Sequence, residues 1–176
     1  MSESGVTKST NQRRAYFRRE TAISIAINTA MSFLFFLLVF GFGEPMQVWG
    51  LGNYVFDFVP QGFAIALMAT LVPGAKISKA LREGRLARGT GRSRLPARLW
   101  QRALVLALVS AFVGTALAAV VMSLVGSSEL SVGVALAGKL VFGAVLAAVI
   151  TPVGMRAALS AETAPIGAPV SRAQSS

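Results

Sequence analysis

Four long apolar stretches, almost free of charge, most limit what this chain can fold into. They occupy residues 21–43, 58–75, 103–128 and 130–155, and Lys139 is the one charged residue inside them. Because about 20 apolar residues in a helix cross a hydrocarbon core roughly 30 Å thick, each stretch is long enough to span a membrane. The strands of membrane barrels are about ten residues long, and polar and apolar residues alternate along them. These stretches are longer and show no such alternation. We therefore predict an all-α integral membrane protein with four transmembrane helices.

The composition argues against a soluble enzyme. Charged residues make up 14% of the 176 residues, whereas soluble domains have about 25%. The sequence contains no His and no Cys, which excludes disulfides, thiolate catalysis and most zinc and haem sites. It also lacks a phosphate-binding glycine loop, a G-x-S-x-G motif and paired acids at catalytic spacing. We therefore expect no enzymatic activity, no cofactor and no metal.

The basic residues indicate how the chain is oriented. Sixteen of the 17 Lys and Arg residues fall in residues 1–20, 76–102 and 156–176, while the connections 44–57 and 126–131 contain none. Cytoplasmic loops of membrane proteins carry an excess of Lys and Arg. This distribution predicts two cytoplasmic termini in a bacterial inner (plasma) membrane.

The same pattern divides the chain into five segments. A basic tail, a first transmembrane hairpin, a basic cytoplasmic loop, a second hairpin and a C-terminal tail occupy residues 1–20, 21–75, 76–102, 103–156 and 157–176. The C-terminal tail is rich in Ala, Pro and Ser and is expected to be disordered, as are residues 1–12. Aromatic residues are expected at the two interfaces, with Tyr16, Phe17 and Trp100 at the inner one and Trp49, Tyr54 and Phe56 at the outer one.

The second and fourth apolar stretches align without gaps when Pro73 is placed on Pro152. FAIALMATLVP then lies over FGAVLAAVITP with four identities in eleven positions, and Lys76 and Arg156 follow the prolines. Each half would be a helical hairpin, related to the other by an axis along the membrane normal. The alternative is a chance match between helices built from a few apolar residue types.

Each predicted hairpin resembles the small two-helix inner-membrane proteins of bacteria whose second helix carries an aromatic residue and then a proline before a basic end. The resemblance covers residues 22–82 and 103–158, which would be two tandem copies. That family has no assigned activity, so the resemblance implies a topology and no chemistry.

Lys139 is the most informative single residue. It lies about nine residues into its span, roughly 13 Å below the outer boundary. Because a lysine at this depth costs about 2.5–3.5 kcal/mol on insertion scales, it should face protein or water. It also belongs to a stripe of small residues with a spacing of four, which favours close helix packing. The stripe is Ser131, Ala135, Lys139, Gly143 and Ala147.

Asp57 is the predicted partner of Lys139. Asp57 and Gln61 share one face of the second helix, and the repeat alignment places both within one turn of Lys139. We expect a Lys139–Asp57 pair, with Gln61 as a further acceptor. In the alternative, Lys139 extends outward to Glu129 or to lipid headgroups and only stabilises the bundle.

The first and third helices each have a face of small or polar residues. Ser24, Asn28 and Ser32 lie four residues apart in the first helix. They either form hydrogen bonds with neighbouring helices or line a water path. In the third helix the corresponding residues are Ser110, Gly114 and Ala118, which fit packing within the chain or dimerisation.

The predicted cytoplasmic loop has nine basic residues and one acid, Glu83. It would bind anionic phospholipid headgroups, at about 1 kcal/mol per basic residue near the surface, or an acidic partner. The alternative is that these charges only set the topology. Nucleic acid is not expected, since Trp100 is the one aromatic residue there. The candidate residues are Lys76, Lys79, Arg82, Arg85, Arg88, Arg92, Arg94 and Arg98.

These features leave two hypotheses for function. The first is a non-enzymatic structural or accessory subunit of a membrane assembly, embedded in the lipid bilayer beside a second copy or another membrane protein. The second is a small permease or channel that works as a homo-oligomer. Its path would be lined by Ser24, Asn28, Ser32, Asp57, Gln61 and Lys139.

Overall fold

The structure, a computed structural model, describes residues 3–41, 45–85, 95–96 and 98–161. Its helices in these ranges are α1 (Glu3–Val39), α2 (Phe58–Arg82), α3 (Leu99–Val125) and α4 (Val132–Ala161), with two short strands, β1 (Met46–Gln47) and β2 (Glu129–Leu130). Each helix contains a segment long and apolar enough to cross a membrane. The prediction of an all-helical fold with four candidate spans is confirmed.

Two helices extend further than the sequence indicated. Residues 3–12 are helical and α4 continues to Ala161, so the expected disorder was wrong for residues 3–12 and 157–161. For α4 the reason is a cluster at the end of the helix, in which buried side chains of α2 and α4 pack against two aromatic residues of α1. Its members are Ile77, Met155, Ala158, Leu159, Tyr16 and Phe17. Residues 162–176 lie outside the described ranges.

The helices pack in an order that differs from their order in the chain. α1 packs on α4, α4 on α2, and α2 on α3, whereas α1 and α2 touch little, as do α3 and α4. The main partner of each helix therefore comes from the other half of the chain. The structure does not confirm two separately packed hairpins.

α2 and α4 each pack on two other helices, and glycines on both permit this arrangement. A Cβ on Gly62 of α2 would lie 3.1 Å from the Ser110 carbonyl oxygen of α3, and one on Gly143 of α4 would lie 2.5 Å from Ser32 Oγ of α1. Small residues at such positions let helix backbones approach closely, which is how helices pack in lipid.

The predicted small-residue faces are buried inside the chain. Ser110, Gly114 and Ala118 of α3 are buried, so this face serves packing within the chain. In α4 the stripe is buried from Ala135 to Ala147, while Ser131 is exposed. Large apolar side chains such as Leu38, Phe112 and Leu124 point outward, as expected for surfaces that meet lipid.

The two ends of the bundle differ. At one end, here called the sheet end, β1 and β2 pair antiparallel, with Met46 opposite Leu130 and Gln47 opposite Glu129. The other end is called the terminal end here. α2 and α4 end there, and α3 begins there. Tyr54, predicted at the outer interface, is 4% exposed and packs within the core of the sheet end.

Candidate functional site

Lys139 and Asp57 form an ion pair near the sheet end. Lys139 Nζ lies 2.9 Å from Asp57 Oδ2, as the spacing predicted. Lys139 is 1% exposed and lies on the α4 face that packs against α1 and α2. The Asp57 carboxylate makes no capping bond with the start of α2. The carboxylate still lies at the N-terminal end of α2, where the helix dipole favours a negative charge.

Two aromatic rings complete the surroundings of the ammonium group. Lys139 Nζ lies 3.8 Å from the centroid of the Phe58 ring and 5.1 Å from that of Tyr54. The faces of these rings are electronegative and attract a cation. The Tyr54 hydroxyl lies against the backbone of Gly138, where a side chain would collide with it. One carboxylate and two rings therefore stabilise the buried charge.

Gln61 connects three helices, although not in the predicted way. Its Nε2 donates to Ser32 Oγ of α1 and to the Lys139 carbonyl oxygen of α4, each at 3.1 Å. Gln61 is thus a donor to the backbone and not an acceptor for the ammonium group. Its Oε1 is buried without a hydrogen-bond partner among the described residues.

The polar face of α1 continues the site towards the terminal end. Ser24 Oγ accepts a bond of 2.7 Å from Thr151 Oγ1 of α4. Asn28 Nδ2 donates to the Ser24 carbonyl oxygen and to Ser24 Oγ. Asn28 therefore bonds within α1, while Ser24 and Ser32 make the contacts with other helices.

An ion pair also closes the terminal end of this face. Lys76 Nζ of α2 lies 2.8 Å from Glu20 Oε2 of α1. Beside it, a groove separates α1 from α2, lined by the polar side chains above and by apolar ones. The lining residues are Glu20, Ile23, Ser24, Ile27, Asn28, Met68, Val72, Pro73 and Lys76.

Together these side chains form a polar stripe through the bundle, with an ion pair at each end and hydroxyl and amide groups between. Its members are Asp57, Lys139, Gln61, Ser32, Asn28, Ser24, Thr151, Glu20 and Lys76. The structure brings together all six residues predicted to lie inside the membrane. Within the described ranges, no group of three His, Cys, Asp or Glu side chains could hold a metal ion.

The predicted lipid or partner surface is only partly described. Lys76, Lys79, Arg82, Arg85 and Arg98 are exposed. Arg85 and Lys79 both lie next to Glu83, so part of the charge is neutralised locally. The other three candidates, Arg88, Arg92 and Arg94, lie outside the described residues.

Sequence reasoning missed four contributors to polar contacts in the bundle, Phe58, Tyr54, Thr151 and Glu20, and it also missed the burial of Arg102. Phe58 could have been noted as the aromatic residue that follows Asp57 in the sequence, whereas the position of Tyr54 depends on the connection between β1 and α2. Thr151 precedes the aligned Pro152, but nothing in the sequence distinguished it from other threonines. Arg102 is buried in the first turn of α3, whereas the sequence grouped it with the basic loop.

Comparison of the chain with family models, curated proteins and solved structures gives no match.

Proposed function

We propose that the chain is a non-enzymatic, multi-pass protein of the bacterial inner membrane that serves as a structural or accessory subunit of a membrane assembly. One observation carries this proposal. The side chains of the polar stripe bond mainly to one another, and Ser24, Asn28, Ser32 and Lys139 are all buried. A transport path would need such groups to be open to water from one side, whereas groups that hold helices together bond to each other.

The proposed orientation has both termini in the cytoplasm. It is supported by the position of the basic residues, since Lys76, Arg98 and Arg156 all lie at the terminal end of the bundle. The positive-inside rule assigns that end to the cytoplasm. The sheet end, whose connections 44–57 and 126–131 contain no Lys or Arg, would face outward.

We also propose that the two halves are tandem copies of one unit. The helix contacts support this, because exchanging the halves converts the α1–α4 contact into α3–α2 and maps α2–α4 onto itself. The pairing of β1 with β2 fits the same exchange. A parallel repeat about an axis along the membrane normal has this symmetry.

The second candidate is a small permease or channel that works as a homo-oligomer. The polar stripe favours this candidate, since the stripe extends between ion pairs at the two ends of the bundle. The groove between α1 and α2 also reaches Ser24 and Asn28. Gln61 Oε1, which has no hydrogen-bond partner in the described part of the chain, would bind a solute or water in such a path.

Cysteine labelling separates the two candidates, because the chain has no native Cys. Asn28→Cys and Gln61→Cys are treated in membranes with a maleimide that cannot cross lipid. Ser128→Cys and Arg156→Cys, exposed at opposite ends, are the reference positions. The subunit proposal expects positions 28 and 61 to stay unlabelled, and labelling of both from one side would favour the permease. Labelling of intact spheroplasts at position 128 but not 156 is the result expected for cytoplasmic termini.

Gentle extraction tests the assembly. The tagged protein is solubilised from native membranes, and the mass of the particle is determined. One stoichiometric foreign membrane protein is the expected result. A pure homo-oligomer would count against an accessory role, and liposome flux assays with Lys139→Met and Asp57→Asn would follow.

A further inference from the structure

Arg102 carries a buried charge that no described residue neutralises. It is 2% exposed, and its Nε and Nη1 atoms have no hydrogen-bond partner among the described residues. The ion pairs among the described residues involve other basic residues, namely Lys76, Lys79, Arg85 and Lys139. Because a buried charge without a counterion is strongly destabilising, an anion that reached this group would bind favourably.

The Arg102 guanidinium lies beside the first turn of α3. A Cβ placed on Gly74 of α2 would lie 2.5 Å from Leu99 Cδ1 and 3.5 Å from Arg102 Nη2. Both side chains therefore cover the same position on α2, one that has no side chain of its own. Leu99 is the first residue of α3, so the guanidinium lies near the side chain that begins this helix.

The start of α3 also has no side-chain cap from its N-cap residue. Arg98 is the N-cap residue and its side chain makes no capping hydrogen bond. The first N–H groups of a helix have no partner within the helix, and the helix dipole adds positive potential there. Backbone N–H groups at such an end are a common binding site for phosphate. Arg98 is exposed and adds a second positive charge.

We propose that Arg102 and the first turn of α3 bind the phosphate of an anionic phospholipid headgroup. A guanidinium has the fork geometry that suits phosphate oxygens. α3 is long and apolar enough to cross the membrane, so its first turn lies at the depth of the headgroups. Trp100 in the same turn is 58% exposed, as is typical of aromatic residues at a membrane interface.

This site goes beyond the proposed function and holds for either candidate. It also differs from the attraction of lipid to exposed lysines and arginines, which needs no fixed geometry. Arg102 would hold one headgroup in one position, at the start of α3. The other source of the same chemistry is a soluble phosphate compound.

Thermal unfolding of the full-length chain in neutral detergent tests the proposal. The Tm is measured with and without added phosphatidylglycerol, with uncharged diacylglycerol, and with glycerol 1-phosphate. The variants are Arg102→Met and the matched control Arg156→Met, whose arginine is exposed at the terminal end. Size-exclusion chromatography establishes that each variant is folded and monodisperse.

At a hundredfold excess over its Kd, phosphatidylglycerol should raise the Tm of the wild type and of Arg156→Met by about 5–10 °C. The Tm of Arg102→Met should rise by less than a third of this amount when phosphatidylglycerol is added. Without lipid its Tm should be at least that of the wild type, because the unpaired charge is gone. An equal rise in Tm for Arg102→Met and Arg156→Met would overturn the proposal. Equal stabilisation by glycerol 1-phosphate would assign the site to a soluble phosphate and overturn the lipid assignment.

A second variant covers the case in which Arg102→Met does not fold. Arg102→Lys keeps the charge but loses the planar fork. Its gain in Tm from phosphatidylglycerol should fall to about half that of the wild type. An undiminished gain would show that the guanidinium does not bind the phosphate.

Discussion

Lys139 of α4 and Asp57 at the start of α2 are joined by a 2.9 Å ion pair across 82 residues of sequence. The two partners are not equally enclosed. The lysine side chain is 2% exposed and that of the aspartate is 23% exposed. Loss of Asp57 would leave a buried positive charge, whereas loss of Lys139 would leave a carboxylate that water reaches.

The first prediction follows from this asymmetry. Asp57→Asn should lower the free energy of unfolding by about 3 kcal/mol, since it leaves a buried charge without its counterion. Lys139→Met should lower it by only about 1 kcal/mol, because the remaining carboxylate is partly hydrated and lies at a helix N-terminus. The double variant should be more stable than Asp57→Asn alone. Denaturant unfolding in mixed micelles, followed by circular dichroism, measures all three.

The exposed pair between Lys79 and Glu83 provides the matched controls. It spans 3.9 Å on the surface of α2, and exposed pairs contribute little to stability. Lys79→Met and Glu83→Asn should therefore leave unfolding nearly unchanged. If Asp57→Asn were as mild as Glu83→Asn, the buried pair would have no stabilising role.

The second prediction concerns the close approach of α4 to α1. A Cβ on Gly143 would lie 2.5 Å from Ser32 Oγ and 3.3 Å from Ile65 Cδ1. Gly143→Ala should therefore destabilise the protein by about 1–3 kcal/mol through overpacking. Gly133, in the same helix, has nothing within 4 Å of such a Cβ. Gly133→Ala should be neutral or slightly stabilising, because alanine favours helix. A similar Tm for the two variants would argue against this contact.

The third prediction tests which helices are neighbours. Since Ser24 Oγ and Thr151 Oγ1 are 2.7 Å apart, the double variant Ser24→Cys, Thr151→Cys should form an intramolecular disulfide on mild oxidation. The control pair, Ser24→Cys with Phe112→Cys, joins α1 to an exposed position on α3 and should stay reduced. Mass spectrometry after thiol alkylation counts the free thiols. Equal oxidation of both pairs would contradict the packing of α1 on α4.

The sequence was sufficient to predict the four spans and the Lys139–Asp57 ion pair. A lysine inside an apolar stretch requires compensation, and Asp57 was the carboxylate that the repeat alignment placed at its level. The order of packing could not be predicted. Helices made of Ala, Gly, Val and Leu offer several similar faces, and the positions of Gly62 and Gly143 do not identify the helices that they meet.

The contacts of Tyr54 with Lys139 and Gly138 were also beyond sequence reasoning, because they depend on the connection between β1 and α2. That connection turns at Gly50 and Gly52, both with positive φ, a conformation that favours glycine. Arg102 was missed for a different reason. It lies at the edge of an apolar stretch beside other arginines, and only the packing of α3 on α2 shows that it is buried.

The fourth prediction is a loss of stability at high pH that depends on Tyr54. Burial raises the pKa of the Tyr54 phenol from 10.0 to about 12. Between these values an unfolded chain has lost this proton while the folded chain retains it, so stability falls as pH rises from 10 to 12. Two pKa units correspond to a loss of about 3 kcal/mol. Tyr54→Phe has no proton to lose and should show a correspondingly shallower decline. Unfolding of both proteins at pH 9, 10, 11 and 12 measures the difference, and parallel declines would show that Tyr54 ionises in the folded chain as readily as in the unfolded one.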